Sequence, residues 1–301
     1  MERDGRIRGR SSEMTGLDWD RDGAGWPHRE ASGFVEAAGY RWHVQRAGSG
    51  PTVVLIHGTG ASTHSWTDVF ARLRQRYDVL AMDLPGHGFT CSIGGRPPPA
   101  MDRIAAAFAG LLDQLDAKPR LVIGHSAGAA IAARLALNGA IRPDLLVSVN
   151  GALEPFPGAA GWAFPMMAKA LTFSPLVANV FSRAAENPRR VRRLIEGTGS
   201  KPPDAYLRNY AALLRHSGHV SGALALMANW DLGPLWADLP KLEVPALFIA
   251  GARDLAVPPS QARRAALRAP FGALEILPGL GHLAHEEAPD AVCDAIARHI
   301  D

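Results

Sequence analysis

Gly124-His125-Ser126-Ala127-Gly128 sets a serine between two glycines, after the apolar run Leu121-Val122-Ile123 and before the helical stretch Ala129 to Leu137. Strand, G-x-S-x-G and helix in that order predict a sharp elbow that presents Ser126 at a helix N-terminus, with Gly124 and Gly128 small because two backbones pass close together there. A serine hydroxyl attacks only when a base takes its proton, and that base works best when an acid orients it. His282, in Pro278-Gly279-Leu280-Gly281-His282, follows the apolar run 274–277, and Asp254 follows the run 247–251, so both stand where strands end. Glu154, Asp231 and Asp238 are rival acids. Ile56-His57-Gly58-Thr59-Gly60 ends another apolar run in small residues, whose Thr59 N–H, together with the N–H of Ala127 at the start of the elbow helix, could receive a developing oxyanion. His57 and His125 flank these two sites as candidate substrate contacts. His87, in Asp83-Leu84-Pro85-Gly86-His87-Gly88, reads as a structural histidine of a turn. His285, beside Glu286 and Glu287, lacks a third well-placed ligand, so neither a metal nor a cofactor is expected.

Residues so far apart in the chain meet only if strand ends converge. Short apolar runs at 34–35, 40–44, 53–56, 79–82, 121–123, 145–149, 246–250 and 274–277 predict eight strands. From the third onward they alternate with helical patterns near 66–74, 104–115, 127–137, 261–268 and 291–299. That alternation predicts an α/β fold, an eight-stranded, mostly parallel sheet flanked by helices. Residues 151–242, after the sixth strand, show helical pieces broken by prolines and no strand pattern, and are expected to form an inserted helical cap on a core of 32–150 and 243–301. Residues 1–31 are expected to be a flexible tail without the apolar segment of a secretory signal.

The 301 residues are 47% apolar and 20% charged, enough for a substantial core, and a net charge of +3 excludes nucleic-acid binding as the main task. Cys91 and Cys293 supply no disulfide framework, which suits a reducing compartment, and the expected location is the cytoplasm. Residues 155–182 hold one charge, Lys169, but their four prolines break any membrane-spanning helix. Such a segment covers a core, a ligand, a partner or a peripheral membrane face.

Taken together, the elbow, the 57–60 loop, the 83–88 turn, the Asp254 loop and Gly281-His282 resemble the α/β-hydrolase superfamily, in which nucleophile, acid and base follow the order Ser126, Asp254, His282. Thr90 stands where that pattern often has serine and keeps the hydroxyl. A narrower likeness rests on Trp26-Pro27-His28-Arg29-Glu30, Gly60-Ala61-Ser62-Thr63-His64-Ser65-Trp66, Gly197-Thr198-Gly199-Ser200, Gly218-His219-Val220-Ser221-Gly222-Ala223-Leu224 and Met227-Ala228-Asn229-Trp230-Asp231-Leu232. These are similar to the BchO-type magnesium-chelatase accessory family. The resemblance implies a role in bacteriochlorophyll synthesis, at or near magnesium insertion into protoporphyrin, with magnesium-chelatase subunits as partners.

Three readings follow. The first is a serine-type hydrolase of an ester or related carbonyl. The second is a non-catalytic tetrapyrrole-binding or chelatase-binding protein on a hydrolase scaffold. The third is a general carboxylesterase or carbon-carbon bond hydrolase unconnected to pigment. The intact serine, histidine and aspartate favour an enzyme, because a scaffold needs none of them. In the cap, Trp162, Phe164 and Met167 are candidate contacts for a flat apolar ring, and Arg189, Arg190, Arg192 and Arg193 for its propionates. Protoporphyrin titrated into the protein should quench tryptophan fluorescence saturably, and Trp162→Ala and Arg192→Glu/Arg193→Glu should both weaken binding. Absence of saturable quenching would remove the tetrapyrrole assignment.

Overall fold

The computed structural model describes residues 17–94, 100–155, 180 and 182–300. Its frame is a nine-stranded sheet in the order β1-β2-β4-β3-β6-β7-β8-β9, with β5 pairing β2. β1 (Ser32–Ala37) and β2 (Tyr40–Ala47) form an antiparallel hairpin. Its two turn residues, Ala38 and Gly39, both have positive φ, which matches the twist of the flanking strands. β3 (Thr52–Ile56), β4 (Asp78–Met82), β6 (Leu121–His125), β7 (Leu145–Val149), β8 (Ala246–Gly251) and β9 (Gly272–Leu277) run parallel to one another. The ninth strand, β5 (Cys91–Ser92), escaped the sequence reading because two residues carry no period.

Alternation within each strand sorts the core into two layers. Val54 and Ile56 join Trp42, Leu80, Met82, Phe108, Ile131 and Phe248 on one face. Val53 and Leu55 join Trp66, Phe70, Val79, Ile123, Val147 and Ile249 on the other. The helices over these faces are α2 (Thr67–Leu73), α3 (Met101–Gln114), α4 (Ala127–Leu137), α9 (Pro259–Arg268) and α11 (Pro289–Ala297), after a short α1 (Trp19–Asp22) and with the single turn α10 (Ala284–Glu287) before α11. Between β7 and β8 lie α5 (Pro188–Glu196), α6 (Asp204–Leu214), α7 (Ser217–Ala228) and α8 (Gly233–Asp238). α5 opens with a proline at its first turn, and the Asn187 side chain accepts from the Arg189 N–H.

The expected flexible tail needs correction from residue 17 onward. Leu17 and Trp26 are buried with Phe89 and Leu213, and Trp19 meets Phe89 edge-on at 4.8 Å. Trp26 Nε1–H also donates to Thr63 Oγ1 at 3.1 Å. The charge-rich composition concealed Trp26, which is buried, and Trp19, which packs partly buried against the same cluster, and these tie the segment to the core.

Parallel strands deliver their C-terminal loops to one edge of the sheet, the edge where ligands bind in such folds. The loops after β3, β6, β8 and β9 carry Thr59, Ser126, Asp254 and His282. The tightest approach among them involves Gly128, where a Cβ would lie 2.1 Å from the Ile56 carbonyl oxygen. Gly128→Ala should therefore cost roughly 3 kcal/mol in urea denaturation. Gly33→Ala, with nothing within 4 Å of the added carbon, serves as the mild comparison. Equal stability of the two variants would contradict this packing.

Candidate active site

Ser126 sits between β6 and α4 at φ 50° and ψ −116°, a conformation that costs a non-glycine residue about 1–3 kcal/mol. Hydrogen bonds on both sides hold it there. Its N–H donates to Val149 O at 3.1 Å, and its carbonyl accepts from Ala129 and Ala152, each at 3.1 Å. Two glycines make room for the turn: a Cβ on Gly124 would lie 2.5 Å from Ala129 Cα, and Gly128 rests on the β3 backbone. Ser126 stays partly exposed, whereas its neighbours His125 and Ala127 are buried. Ala127 N–H is the first of α4, with no intrahelical acceptor of its own.

Asp254 and His282 meet across two loops. His282 Nδ1 lies 2.8 Å from Asp254 Oδ2, so Nδ1–H donates to the carboxylate. Asp254 Oδ1 accepts from the Ala256 and Val257 N–H groups at 2.9 and 2.8 Å. Oδ2 takes a second donor that the sequence reading missed, Asn150 Nδ2 at 2.7 Å. Asn150 is buried, follows β7 directly and has φ 49°. An asparagine just past a buried strand was its only signal, since asparagine tolerates the left-handed region. The motif Gly197-Thr198-Gly199-Ser200 braces both loops: Thr198 O accepts from Leu255 N–H at 3.0 Å, and Ser200 Oγ accepts from Leu283 N–H at 2.7 Å.

The loop after β3 lies against the elbow, where a Cβ on Gly58 would be 2.9 Å from Ser126 Cβ. His57 Nε2 accepts from Leu84 N–H at 2.9 Å, which leaves the proton on Nδ1 to donate to Gly58 O at 2.7 Å. That carbonyl belongs to the same peptide unit as the Thr59 N–H, and the buried His57 ring is engaged with backbone through both nitrogens. His125 is likewise buried, its Nε2 3.0 Å from the His282 carbonyl and its ring 4.8 Å from the His282 ring. The neighbouring Asp83 carboxylate is buried and accepts from His43 Nδ1, Thr63 N–H and Phe89 N–H at 2.7–2.8 Å. Burial alone would raise its pKa, but His43 and these donors together hold it well below the usual carboxylate range. Thr90 Oγ1 accepts from the His43 N–H at 2.9 Å.

The rival residues are engaged elsewhere. Glu154 pairs with Arg264 at 2.7 Å, Asp238 with Arg134 and Lys241, and Asp231 caps the Gly233 N–H. His87 is buried with Nδ1 near Pro85 O. Among the described residues no group of three metal-ligating side chains occurs, and no helix is long and apolar enough to cross a membrane. Trp162, Phe164 and Met167 lie outside the described residues. Of the cap arginines, Arg192 is already paired with Asp204 at 2.7 Å.

The family model for the alpha/beta hydrolase family matches residues 53–295. A Rhodobacter capsulatus protein named magnesium-chelatase 30 kDa subunit is 39% identical to the chain, over 91% of it and 95% of the relative. The pimeloyl-[acyl-carrier protein] methyl ester esterase of Xanthomonas campestris pv. campestris is 28% identical, over 86% of this chain and 98% of its own. Among solved structures, an alpha/beta hydrolase fold protein from Burkholderia ambifaria is similar with a TM-score of 0.75 at 23% identity, covering 89% of this chain and 97% of that one, a likeness of fold.

Beside the site lies a buried polar cluster. Glu286 Oε1 accepts from Ser65 Oγ and from Tyr210 Oη at 2.7 Å, and Ser65 Oγ is also 2.9 Å from His285 Nε2. Burial pushes the Glu286 carboxyl up to about 8 against these two donors. Burial also lowers His64 and His285 to about 3 and His219 to about 4. The two effects have opposite signs. Neutral buried histidines bind fewer protons than in the unfolded chain, so their contribution fades as pH falls below about 6.5. Protonated Glu286 binds one more, so its contribution fades as pH rises from the unfolded value of 4.5 through about 8. Stability should peak near neutrality. Glu286→Gln, which keeps the acceptor oxygen, should abolish the decline between pH 6.5 and 8 in urea midpoints. Parallel curves for variant and wild type would show that Glu286 is already ionised in the fold.

Proposed function

This chain belongs to the alpha/beta hydrolase family, and from that premise we propose that it is a serine hydrolase acting on an ester or related carbonyl, serving as a magnesium-chelatase accessory protein in bacteriochlorophyll synthesis. The observation that carries the hydrolase reading is the buried Asp254–His282 hydrogen bond of 2.8 Å, on the loops neighbouring a strained, partly exposed serine. A scaffold protein gains nothing from holding Ser126 in a costly conformation, or from giving one carboxylate three donors besides the imidazole it orients.

In this reading Ser126 Oγ attacks the carbonyl carbon while His282 Nε2 takes its proton. Asp254 holds the imidazole in the tautomer with hydrogen on Nδ1 and stabilises the imidazolium that forms. The carbonyl oxygen gains charge and is received by the Ala127 and Thr59 N–H groups, each donor contributing about 3 kcal/mol to the transition state. His282 then returns the proton to the leaving alkoxide. Water, activated by the same imidazole, releases the acyl group from Ser126. Residues 151–242 act as the cap over this edge, and residues 32–150 and 243–301 as the core.

The pigment role draws its support from the 39% identical relative named as a magnesium-chelatase subunit. Chelatase subunits are the expected partners, a tetrapyrrole or its ester the expected ligand, and the cytoplasm the expected place of work. A general carboxylesterase is the second reading, favoured by the methyl ester esterase that aligns over 86% of the chain.

A fluorophosphonate should label Ser126 and no other residue, as read by peptide mass spectrometry. Ser126→Ala should abolish both labelling and hydrolysis of p-nitrophenyl acetate, and Asp254→Asn should lower turnover by about 10⁴-fold. Labelling elsewhere, or undiminished turnover in Ser126→Ala, would overturn the assignment.

A further inference from the structure

The motif Gly218-His219-Val220-Ser221-Gly222 is left without a role by the hydrolytic scheme, yet its histidine is wholly buried on α7, far from the elbow in sequence. We propose that His219 is a positioning residue for the oxyanion-binding loop, acting from the cap through a chain of hydrogen bonds that ends on the Thr59 N–H. This rests on the hydrolase reading and assigns a cap residue to that site.

Two partners fix the ring. Gly88 N–H donates to His219 Nδ1 at 3.1 Å, and a nitrogen that accepts carries no proton. The proton therefore sits on Nε2, which donates to Gly60 O at 3.2 Å. From there the chain runs through two peptide units. The Gly60 carbonyl shares its peptide with the Ala61 N–H, which donates to Gly58 O at 3.2 Å. The Gly58 carbonyl shares its peptide with the Thr59 N–H. Each donation polarises the next unit, so a donor on Gly60 O makes the Thr59 N–H a better donor and fixes its direction. Gly60, at φ 78°, occupies the turn position that demands a left-handed residue, and His219 restrains this permissive point.

The same face of α7 is seated on the core one turn later. Gly222 approaches so closely that a Cβ there would lie 2.0 Å from Gly86 O. His219 and Gly222 are three residues apart and share a face, so the ring cannot withdraw without lifting the helix. The His219 ring packs against His87 at 5.4 Å, and His87 against His57 at 5.5 Å. Gly58 O and Gly60 O, on either side of Thr59, are thus each held by an imidazole N–H, one from the core and one from the cap.

The test compares His219→Phe, which removes the donor, with His219→Gln, which restores an N–H near the position of Nε2. Leu224→Ala, a buried change on the same helix, controls for simple destabilisation. With p-nitrophenyl acetate, His219→Phe should lower kcat about tenfold to a hundredfold, as expected for a weakened oxyanion donor, and leave KM within about twofold. His219→Gln should recover most of that loss. Amide hydrogen exchange of the peptide spanning 57–62 should accelerate in His219→Phe and return toward wild type in His219→Gln. Leu224→Ala should lower Tm without the kcat effect. Wild-type kcat and exchange in His219→Phe, or a kcat loss that Leu224→Ala reproduces at matched Tm, would overturn the proposal. If wild-type protein neither labels at Ser126 nor turns over the ester, the hydrolase reading fails, and the exchange measurement alone still decides whether His219 holds the loop.

Discussion

Everything at the C-terminal edge of the sheet depends on how close the first turn of α4 comes to β3 and β6. Gly128 leaves room for the Ile56 carbonyl, and Gly124 leaves room for the backbone at Ala129. Only with both side chains absent can the chain reverse within one residue, and that reversal forces Ser126 to φ 50°. The strain is confined because the Ser126 carbonyl bonds to two N–H groups and its own N–H to β7. The same closeness brings Gly58 against Ser126, so the loop bearing Thr59 and the start of α4 face a common point.

Around this point the protein buries a set of imidazoles that bond to backbone, two of them through both ring nitrogens and His125 through Nε2 alone. His57 bonds Leu84 N–H and Gly58 O, His219 bonds Gly88 N–H and Gly60 O, and His125 bonds the His282 carbonyl. A neutral imidazole offers one donor and one acceptor on opposite sides of a rigid ring, so it can staple two loop backbones that have no sheet pairing of their own. Burial keeps these rings neutral, and so keeps donor and acceptor assigned. Asp83 does the same for three elements as an acceptor only.

What could be read from the chain alone follows from these facts. Short apolar runs and steric motifs are visible there: the parallel strands, the elbow glycines, and the loops carrying Asp254 and His282, which the fold brings to a 2.8 Å contact. Asn150 and His219 were not assigned roles, because each acts through a contact with residues more than one hundred positions away, and no local spacing encodes such a contact. Residues 17–31 differ from the expected flexible tail for a related reason: charge dominates the segment, but Leu17, Trp19 and Trp26 pack with Phe89 and Leu213. His57, expected by position as a substrate contact, is buried with both ring nitrogens bonded to backbone, and no local spacing encodes those partners.

Part of the grip that the segment between β7 and β8 has on the core runs through main-chain atoms, at Gly199 against Arg253 O, Gly222 against Gly86 O, and Thr198 O against Leu255 N–H. Contacts of this kind do not read side-chain identity beyond the glycine itself. The solvent-facing positions of helices α5 to α8 can therefore exchange over evolutionary time while the loops beneath keep their register, whereas buried positions such as Val191, Tyr210, His219 and Leu235 are held by their packing. A scaffold so arranged can drift toward new substrates without rebuilding its reactive centre, and library diversification of the cap is the engineering counterpart of that freedom.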